Sequence, residues 1–446
     1  MNEHFGWEAS MFSVGIVIPS WHYWVNPCRI QPLHEMYFAT LIERCFANKG
    51  VRVALEDLRG LRPDQQIYHL REHDLYLYWI AKTGDYSRIQ QVVRELRAAY
   101  PGAKHVAGGT HVDIFPEKSA MDFDCIVIGP GEESFVSIIN DCRRGKLAPV
   151  YKSQYANVLF DDYPFARRHF LPETAVVNTL LFENYGSGIR STCVLFSRGC
   201  CFKCNFCVYN VPAHIQYRSV SSITREISYL KSEYDVQAIN LKDEICIPLL
   251  NERAQSIMTA IGRQKVKWRG QTTVTSLTRE KIALARKSGC VELALGVESV
   301  SQRVLDIVGK KITIAQVKQA IKLCKEFDIA VKMCLIFGLP GEPHNILPLT
   351  LDFIAETQPN YVSVSGLDPV PGSDIYNNYC DYGIKYIDQN WEKHAHLMFR
   401  FSDHEEVGLP FEYKPVNRWG KTLKRRQIVE NIRLLQRHLR EHKMTY

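Results

Sequence analysis

Three cysteines within eight residues constrain this chain more than any other feature. Cys200, Cys204 and Cys207 lie in the run Ser197-Arg198-Gly199-Cys200-Cys201-Phe202-Lys203-Cys204-Asn205-Phe206-Cys207. A CxxxCxxC loop brings its thiolates close together only if it folds tightly, so the surrounding chain must be built to hold it. Thiolates at this spacing can wrap one face of an iron–sulfur cubane, which normally takes four cysteines. Three leave one iron without a protein ligand, and an open iron is where a substrate or cofactor can bind the metal.

Two other readings compete. A structural zinc site wants four Cys/His ligands in two pairs. His214, seven residues after Cys207, makes a Cys3His set conceivable, although that spacing is not typical. A disulfide framework fits less well, because the other cysteines are scattered and mostly sit in apolar runs, as Cys290 and Cys334 do. The sequence shows no signal peptide and no apolar run long enough to span a membrane. The expected compartment is therefore a reducing cytoplasm, where closely spaced cysteines serve as metal ligands or catalytic groups.

At 446 residues the chain should hold two or three domains. Its formal net charge of +7 is a mild excess, much of it between Lys414 and Lys443. There Lys421, Lys424, Arg425, Arg426, Arg433, Arg437 and Arg440 outnumber Glu430 and Glu441. Ile428, Ile432, Leu435 and Leu439 recur at helical spacing in the same stretch, which predicts a terminal helix with a packing stripe and a solvated basic face. Nucleic acid is not an expected partner.

Residues 14 to about 145 alternate short apolar runs with amphipathic stretches. The runs are Val14–Ile18, Val51–Leu55, Leu75–Ile80, His105–Gly108 and Cys125–Ile128; Leu33–Asn48 and Tyr86–Ala99 have helical periodicity. This pattern predicts a doubly wound parallel sheet, whose ligands bind beyond the carboxyl ends of the strands. Ser20, then Gly108-Gly109-Thr110-His111, then Gly129-Pro130-Gly131-Glu132 follow the first, fourth and fifth runs. Glycines there would let backbone approach a bulky ligand. Residues 146–190 read as a linker. From Thr192 the alternation resumes, with strands expected at Thr192–Phe196, Val236–Leu241, Val266–Gln271, Val291–Val297, Ala330–Phe337 and Tyr361–Ser365. Six such units suggest a partial (β/α)6 TIM-like barrel, with chemistry at the carboxyl ends of its strands.

The cysteine spacing, with Phe206 just before the last cysteine, resembles the radical S-adenosylmethionine (SAM) superfamily. The resemblance implies a [4Fe–4S] cluster on Cys200, Cys204 and Cys207, with SAM chelating the open iron. An electron from the cluster then cleaves SAM to methionine and a 5′-deoxyadenosyl radical, which abstracts hydrogen from the substrate. The Arg-Gly-Cys start matches the family and favours Cys200 over Cys201 as the ligand. By the same resemblance Asp243-Glu244 would lie near the SAM amino group and Glu298 would accept the ribose hydroxyls. Gly338 and Gly341, in Gly-Leu-Pro-Gly-Glu, would offer backbone to SAM, and Pro-Val-Pro-Gly-Ser at 369–373 matches the family's close. Thr272-Thr273 stands where relatives often carry arginine.

The N-terminal pattern, placed before such a domain, is similar to the cobalamin-binding domain of cobalamin-dependent radical SAM enzymes. That similarity implies contacts to cobalamin from Ser20, Gly108, Gly109, His111, Gly129, Gly131 and Glu132. The DxHxxG motif is absent; Asp403-His404 resembles only its start and lies outside this region. The expected organisation is a cobalamin-binding-like Rossmann domain over 1–145, a linker over 146–190, a radical SAM core over 191–375 and a C-terminal helical region over 376–446. In that last region His394, His396, Trp391 and Phe399 could line a pocket or simply pack.

The expected activity is C-methylation of an unactivated carbon of a small molecule, with an external electron donor such as flavodoxin or ferredoxin. A cobalamin-linked cyclase or ring-rearranging enzyme is the second reading. A non-catalytic iron–sulfur binding or sensor protein is the third. Methylthiolation fits poorly, because the N-terminal region lacks a second three-cysteine site.

Overall fold

The computed structural model describes residues 11–21, 27–29, 31–208, 211–394 and 409–445. The chain divides into two compact units, the first running essentially to Pro172 and the second from Glu173 onward.

The first unit is a six-stranded parallel sheet. Its strands are β1 (Phe12–Ile18), β2 (Val51–Asp57), β3 (Leu75–Trp79), β4 (Lys104–Gly108), β5 (Cys125–Ile128) and β6 (Val150–Lys152), in the order β2-β1-β3-β4-β5-β6. Val14, Ile16, Val17 and Ile18 are all buried, as a strand covered on both faces requires. Helices Leu33–Cys45, Tyr86–Ala99 and Gly131–Arg143 lie among the connections. Phe38 anchors the packing, with ring centroids 4.8 Å from Trp79 and 4.7 Å from Phe135. The chain order reverses at β1, between β2 and β3, and such a switch point opens a crevice at the carboxyl ends of the strands.

Residues 146–190, expected as a linker, are shared between the units. Val150–Lys152 forms β6, pairing Ile126 with Val150. It left no apolar run in the sequence because it is a half-exposed edge strand. Residues 173–190 belong to the second unit. There Tyr185 donates its hydroxyl to Glu292 Oε2 at 2.7 Å, and Asn178 pairs with Ser191 at the sheet edge.

The second unit carries the predicted open barrel. Strand β7 (Ser191–Val194) is followed by a two-stranded clamp of β8 (Ser197–Arg198) and β9 (Gln216–Tyr217). Then come β10 (Ala238–Leu241), β11 (Lys267–Thr272), β12 (Cys290–Glu298), β13 (Ala330–Phe337) and β14 (Tyr361–Gly366). The sheet runs β14-β13-β12-β11-β10-β7, parallel throughout, so all six carboxyl ends share one side. Among the described residues six α-helices lie in the connections between these strands, starting with Val220–Tyr234, which the Ser219 hydroxyl caps by accepting from Ser222 N.

The region after 376 is not only helical. Two small antiparallel pairs precede the helix: β15 (Ile384–Ile387) with β16 (Phe411–Tyr413), and β17 (Val416–Asn417) with β18 (Gly420–Lys421). Strands of two to four residues are too short to show a period. The helix Arg425–Glu441 buries Ile428, Ile432, Leu435 and Leu439, the stripe read from the sequence. His394 is buried, 2.9 Å from Asp368 and 2.7 Å from the Asp388 carbonyl, and Trp391 is buried beside it in sequence. His396, Phe399, Asp403 and His404 lie outside the described residues. Among the described residues no helix is long and apolar enough to cross a membrane.

Candidate active site

The cysteine loop leaves β7 at the carboxyl end of the second sheet and is fixed from several sides. Phe196 N and Ser197 Oγ donate to the Asp243 carboxylate at 2.9 and 2.6 Å, tying the loop's root to the end of β10. Gly199 has φ +87°, and a Cβ there would lie 2.4 Å from the His214 carbonyl and 2.5 Å from that of Pro212. Only glycine fits this turn. Cys200 N donates to the same Pro212 carbonyl at 3.2 Å.

Asn205 is the second anchor. Its N–H donates to Val308 O at 2.9 Å, and its amide donates to Ile307 O at 3.2 Å and to Tyr382 Oη at 2.7 Å. Its carbonyl accepts from Ile375 N at 2.9 Å.

Cys200, Cys204 and Cys207 are half-buried, whereas Cys201 is exposed, and all four are free thiols. Among the described residues no three His, Cys, Asp or Glu side chains gather around a single-ion position. A cubane does not ask for that, because each thiolate takes a different iron. His214 is exposed, with Nε2 3.4 Å from the Gln216 amide nitrogen. The residues therefore fit a cluster with an open iron better than a mononuclear Cys3His site.

The acidic pair after β10 splits in function. Asp243 is buried and occupied by the hydrogen bonds that brace the loop; burial pushes its carboxyl up to about 7, against the pull of Ser197 and the Phe196 amide. Glu244 is half-buried near Cys200 and has no hydrogen bond among the described residues. Burial raises its carboxyl to about 7, partly offset by Lys242. Of the two, Glu244 is the one free to meet a ligand.

Glu298 ends β12 in a left-handed conformation, φ +68°, after a register shift beyond Gly296. Its carboxylate lies over Gly296, where a Cβ would be 2.6 Å from Oε1 and 3.1 Å from Lys310 Nζ. Lys310 donates to Glu298 Oε1 at 2.9 Å, both side chains largely buried. Burial works against the ammonium, but Glu298 and then Cys204 outweigh it, and Cys207 adds to the same effect, so the Lys310 pKa is raised. The sequence reading missed this lysine, one of an adjacent pair whose partner Lys311 is exposed.

Gly338 and Gly341 have φ +88° and +78°; Ile428 and Ile307 occupy the space that their side chains would need. Glu342 folds back so that Oε2 accepts from Gly338 N at 2.8 Å, and burial pushes its carboxyl up to about 8. The folded chain then binds a proton that the unfolded chain releases near the ordinary 4.5. This group's contribution to stability falls as pH rises between those values and is level above them. Glu342→Gln is expected to flatten the decline and to be the more stable form at pH 8 by on the order of 2 kcal/mol. Urea unfolding at pH 5, 6.5 and 8 measures it, and parallel pH curves for the two proteins would remove the effect.

In the first unit the strand-end residues pack mainly against their own chain. A Cβ on Gly109 would meet Ile80 backbone at 2.9 Å, one on Gly129 the Ser153 carbonyl at 2.2 Å, and one on Gly108 or Gly131 the Trp79 ring at 3.0 Å. His111 is fully buried, its ring 4.0 Å from Tyr86 and Nδ1 3.3 Å from Thr83 Oγ1, and burial pulls it down to about 3. Glu132 is buried and accepts from Tyr37 Oη at 2.9 Å. Ser20 is buried, and its carbonyl accepts from Gly60 N at 3.4 Å. What this end presents instead is half-buried Trp21, at φ +47°, with Lys82 Nζ 5.9 Å and the Arg59 guanidinium 5.7 Å from its ring. A flat aromatic face beside the Lys82 ammonium suits a ligand with a planar ring and an anionic group, whereas the Arg59 guanidinium is buried and paired with Asp57 at 2.7 Å.

The comparisons agree with this anatomy. Residues 194–354 match the family model of the radical SAM superfamily, and residues 32–139 match that of the B12 binding domain. An uncharacterised methyltransferase of Pyrococcus horikoshii is 28% identical over 315 residues, 65% of this chain and 66% of that one. An anaerobic magnesium-protoporphyrin IX monomethyl ester cyclase of Cereibacter sphaeroides is 26% identical over 313 residues, 66% of this chain and 51% of that one. The matches thus span about half to two thirds of the length of these relatives. Among solved structures, the radical SAM methyltransferase TsrM of Kitasatospora setae, with cobalamin and a [4Fe–4S] cluster bound, superposes with a TM-score of 0.64 at 16% identity. That superposition covers 84% of this chain and 79% of TsrM.

A radical SAM barrel and a B12-binding sheet in one polypeptide define a cobalamin-type radical SAM enzyme, and this chain belongs to that family. The barrel's cofactors are a [4Fe–4S] cluster and SAM, and that of the sheet is cobalamin.

Proposed function

We propose that the chain is a radical C-methyltransferase. The observation that carries this is one polypeptide with an open three-cysteine loop at the carboxyl end of a β/α barrel and a B12-binding sheet before it. When bound, the cluster with SAM supplies a 5′-deoxyadenosyl radical that takes hydrogen from a substrate carbon, and cobalamin supplies the methyl group.

The protein's part is ligation, orientation and shielding. Cys200, Cys204 and Cys207 hold the cluster. Glu244 receives the amino group of SAM, while Asp243 keeps the loop in place behind it. Glu298, held by Lys310, presents its remaining carboxylate lone pairs to the ribose hydroxyls. Gly338 and Gly341 shape the turn after β13, so that its backbone rather than a side chain meets SAM. In the first unit Ser20, Gly108, Gly109, His111, Gly129, Gly131 and Glu132 build the strand-end loops from within, and Trp21 and Lys82 meet cobalamin.

The substrate is a small molecule. A planar macrocycle is the first to try, since one relative is named for a magnesium porphyrin ester. That same relative, matched over a similar share of the chain, supports cyclisation without methyl transfer as a second reading. SAM carrying a deuterated methyl group separates the two. Anaerobically reconstituted enzyme with cobalamin is expected to place the label in the product. 5′-Deoxyadenosine without labelled product would favour cyclisation, and no SAM cleavage at all would return the chain to a binding or sensor role.

A further inference from the structure

Resting on the radical SAM reading of the cysteine loop, we infer that the surface around Trp419 is where a small, acidic, one-electron carrier protein docks. Three observations within the second unit lead there.

The first is charge. Trp419 sits on the β17–β18 hairpin, half-buried, with the Arg418 guanidinium 4.3 Å from its ring. Arg303 donates to the Trp419 carbonyl at 2.6 Å. Lys421, Lys424 and Arg426 follow along the hairpin and the start of the last helix, and these three, with Arg303 and Arg418, are exposed. The nearby exposed acids are Asp306, which holds Gln302 through a hydrogen bond at 2.8 Å, Asp374, which accepts from the Tyr382 hydroxyl, and Glu430 one turn along the last helix. Glu342, beneath, is buried and held neutral to about pH 8. The rim is therefore strongly cationic, and such a field draws in an anionic protein face and speeds its encounter.

The second is shape. Arg303, His344, Asn417, Trp419 and Lys421 surround a cavity of about 250 Å³ in which the turn after β13 forms one wall. A protruding side chain of a partner can seat there. The third is connection to the cysteines. The Trp419 and Tyr382 rings lie 6.1 Å apart, Tyr382 Oη accepts from the Asn205 amide at 2.7 Å, and Asn205 is bonded through backbone to Cys204. Tyr382 is buried, and the path from the surface aromatic to the cluster ligand is short.

The step assigned to this surface moves one electron. The reduced carrier is oxidised by one electron, the cluster is reduced by one, and no bond or proton changes hands.

Cluster-loaded full-length protein is mixed with fully reduced flavodoxin in a stopped-flow instrument, and bleaching of the cluster is followed; dithionite serves as a small reductant. The second-order rate is expected to fall steeply with ionic strength. In Lys421→Glu/Arg426→Glu, both sites exposed, it should fall on the order of tenfold or more while reduction by dithionite is unchanged. Trp419→Leu is expected to slow reduction at saturating flavodoxin without changing the Kd measured by titration. A rate indifferent to salt and to charge reversal, with a cluster that dithionite still reduces, would overturn the docking surface and leave the radical SAM reading standing. Failure of the wild-type chain to take up any cluster would bring down both.

Discussion

Cys204→Ala protein, purified and reconstituted without oxygen, is expected to hold no [4Fe–4S] cluster and to cleave no SAM. Two thiolates cannot hold a cubane that already lacks its fourth cysteine. Cys200→Ala and Cys207→Ala should behave alike, with iron falling from about four per chain towards zero. Cys201→Ala is the informative partner. Cys201 points to solvent beside half-buried Cys200, so its loss should leave iron content and the visible spectrum of the cluster intact. If Cys201→Ala loses the cluster and Cys200→Ala keeps it, the loop binds in the other register. Iron and sulfide assays with the spectrum decide this, independently of any substrate.

Lys310→Met should be the most destabilising single change near the site. It removes the ammonium from Glu298 and leaves that carboxylate largely buried on a strained left-handed residue. Breaking one side of a buried pair costs about 3–5 kcal/mol. The double variant Lys310→Met/Glu298→Gln removes both charges and should recover much of that loss, since a neutral pair needs no counter-charge. Urea unfolding of the cluster-free proteins measures both. A single-variant loss below about 1 kcal/mol, typical of exposed pairs, would mean that water reaches Glu298 and the pair is not a closed one.

How legible all this was in the sequence depends on burial. Strands covered on both faces write themselves as apolar runs, which is why β1 to β5 and β10 to β14 fall within a few residues of where the sequence places them. The three cysteines stand out for a different reason: their spacing fits a cluster with an open iron better than it fits the zinc or disulfide readings. β6 and the short strands after Tyr382 were not legible, because half-exposed or very short strands carry no run to read. Lys310 was hidden as well. In the sequence Lys310 and Lys311 are indistinguishable, and only the fold, which hydrogen-bonds the turn at Ile307–Val308 to Asn205, turns one of them toward the cysteines. The strand-end glycines also have a packing role that the sequence alone does not show. At Gly109 and Gly129 the missing side chain makes room for Ile80 and Ser153 rather than directly for a ligand.

The second sheet is open, and an open sheet has two rims of unpaired peptide groups that invite another strand. This chain covers part of each from its own length. On β7, Ser191 exchanges hydrogen bonds of 3.0 and 2.8 Å with Asn178. On β14, Val362 N donates to the Met444 carbonyl at 3.0 Å, just past the last helix. The turn at Met444 is thus a selvedge, a woven border that keeps the barrel from fraying into its neighbours. Trimming a handful of residues there would leave the cysteine loop untouched yet favour the growth of sheet-to-sheet aggregates.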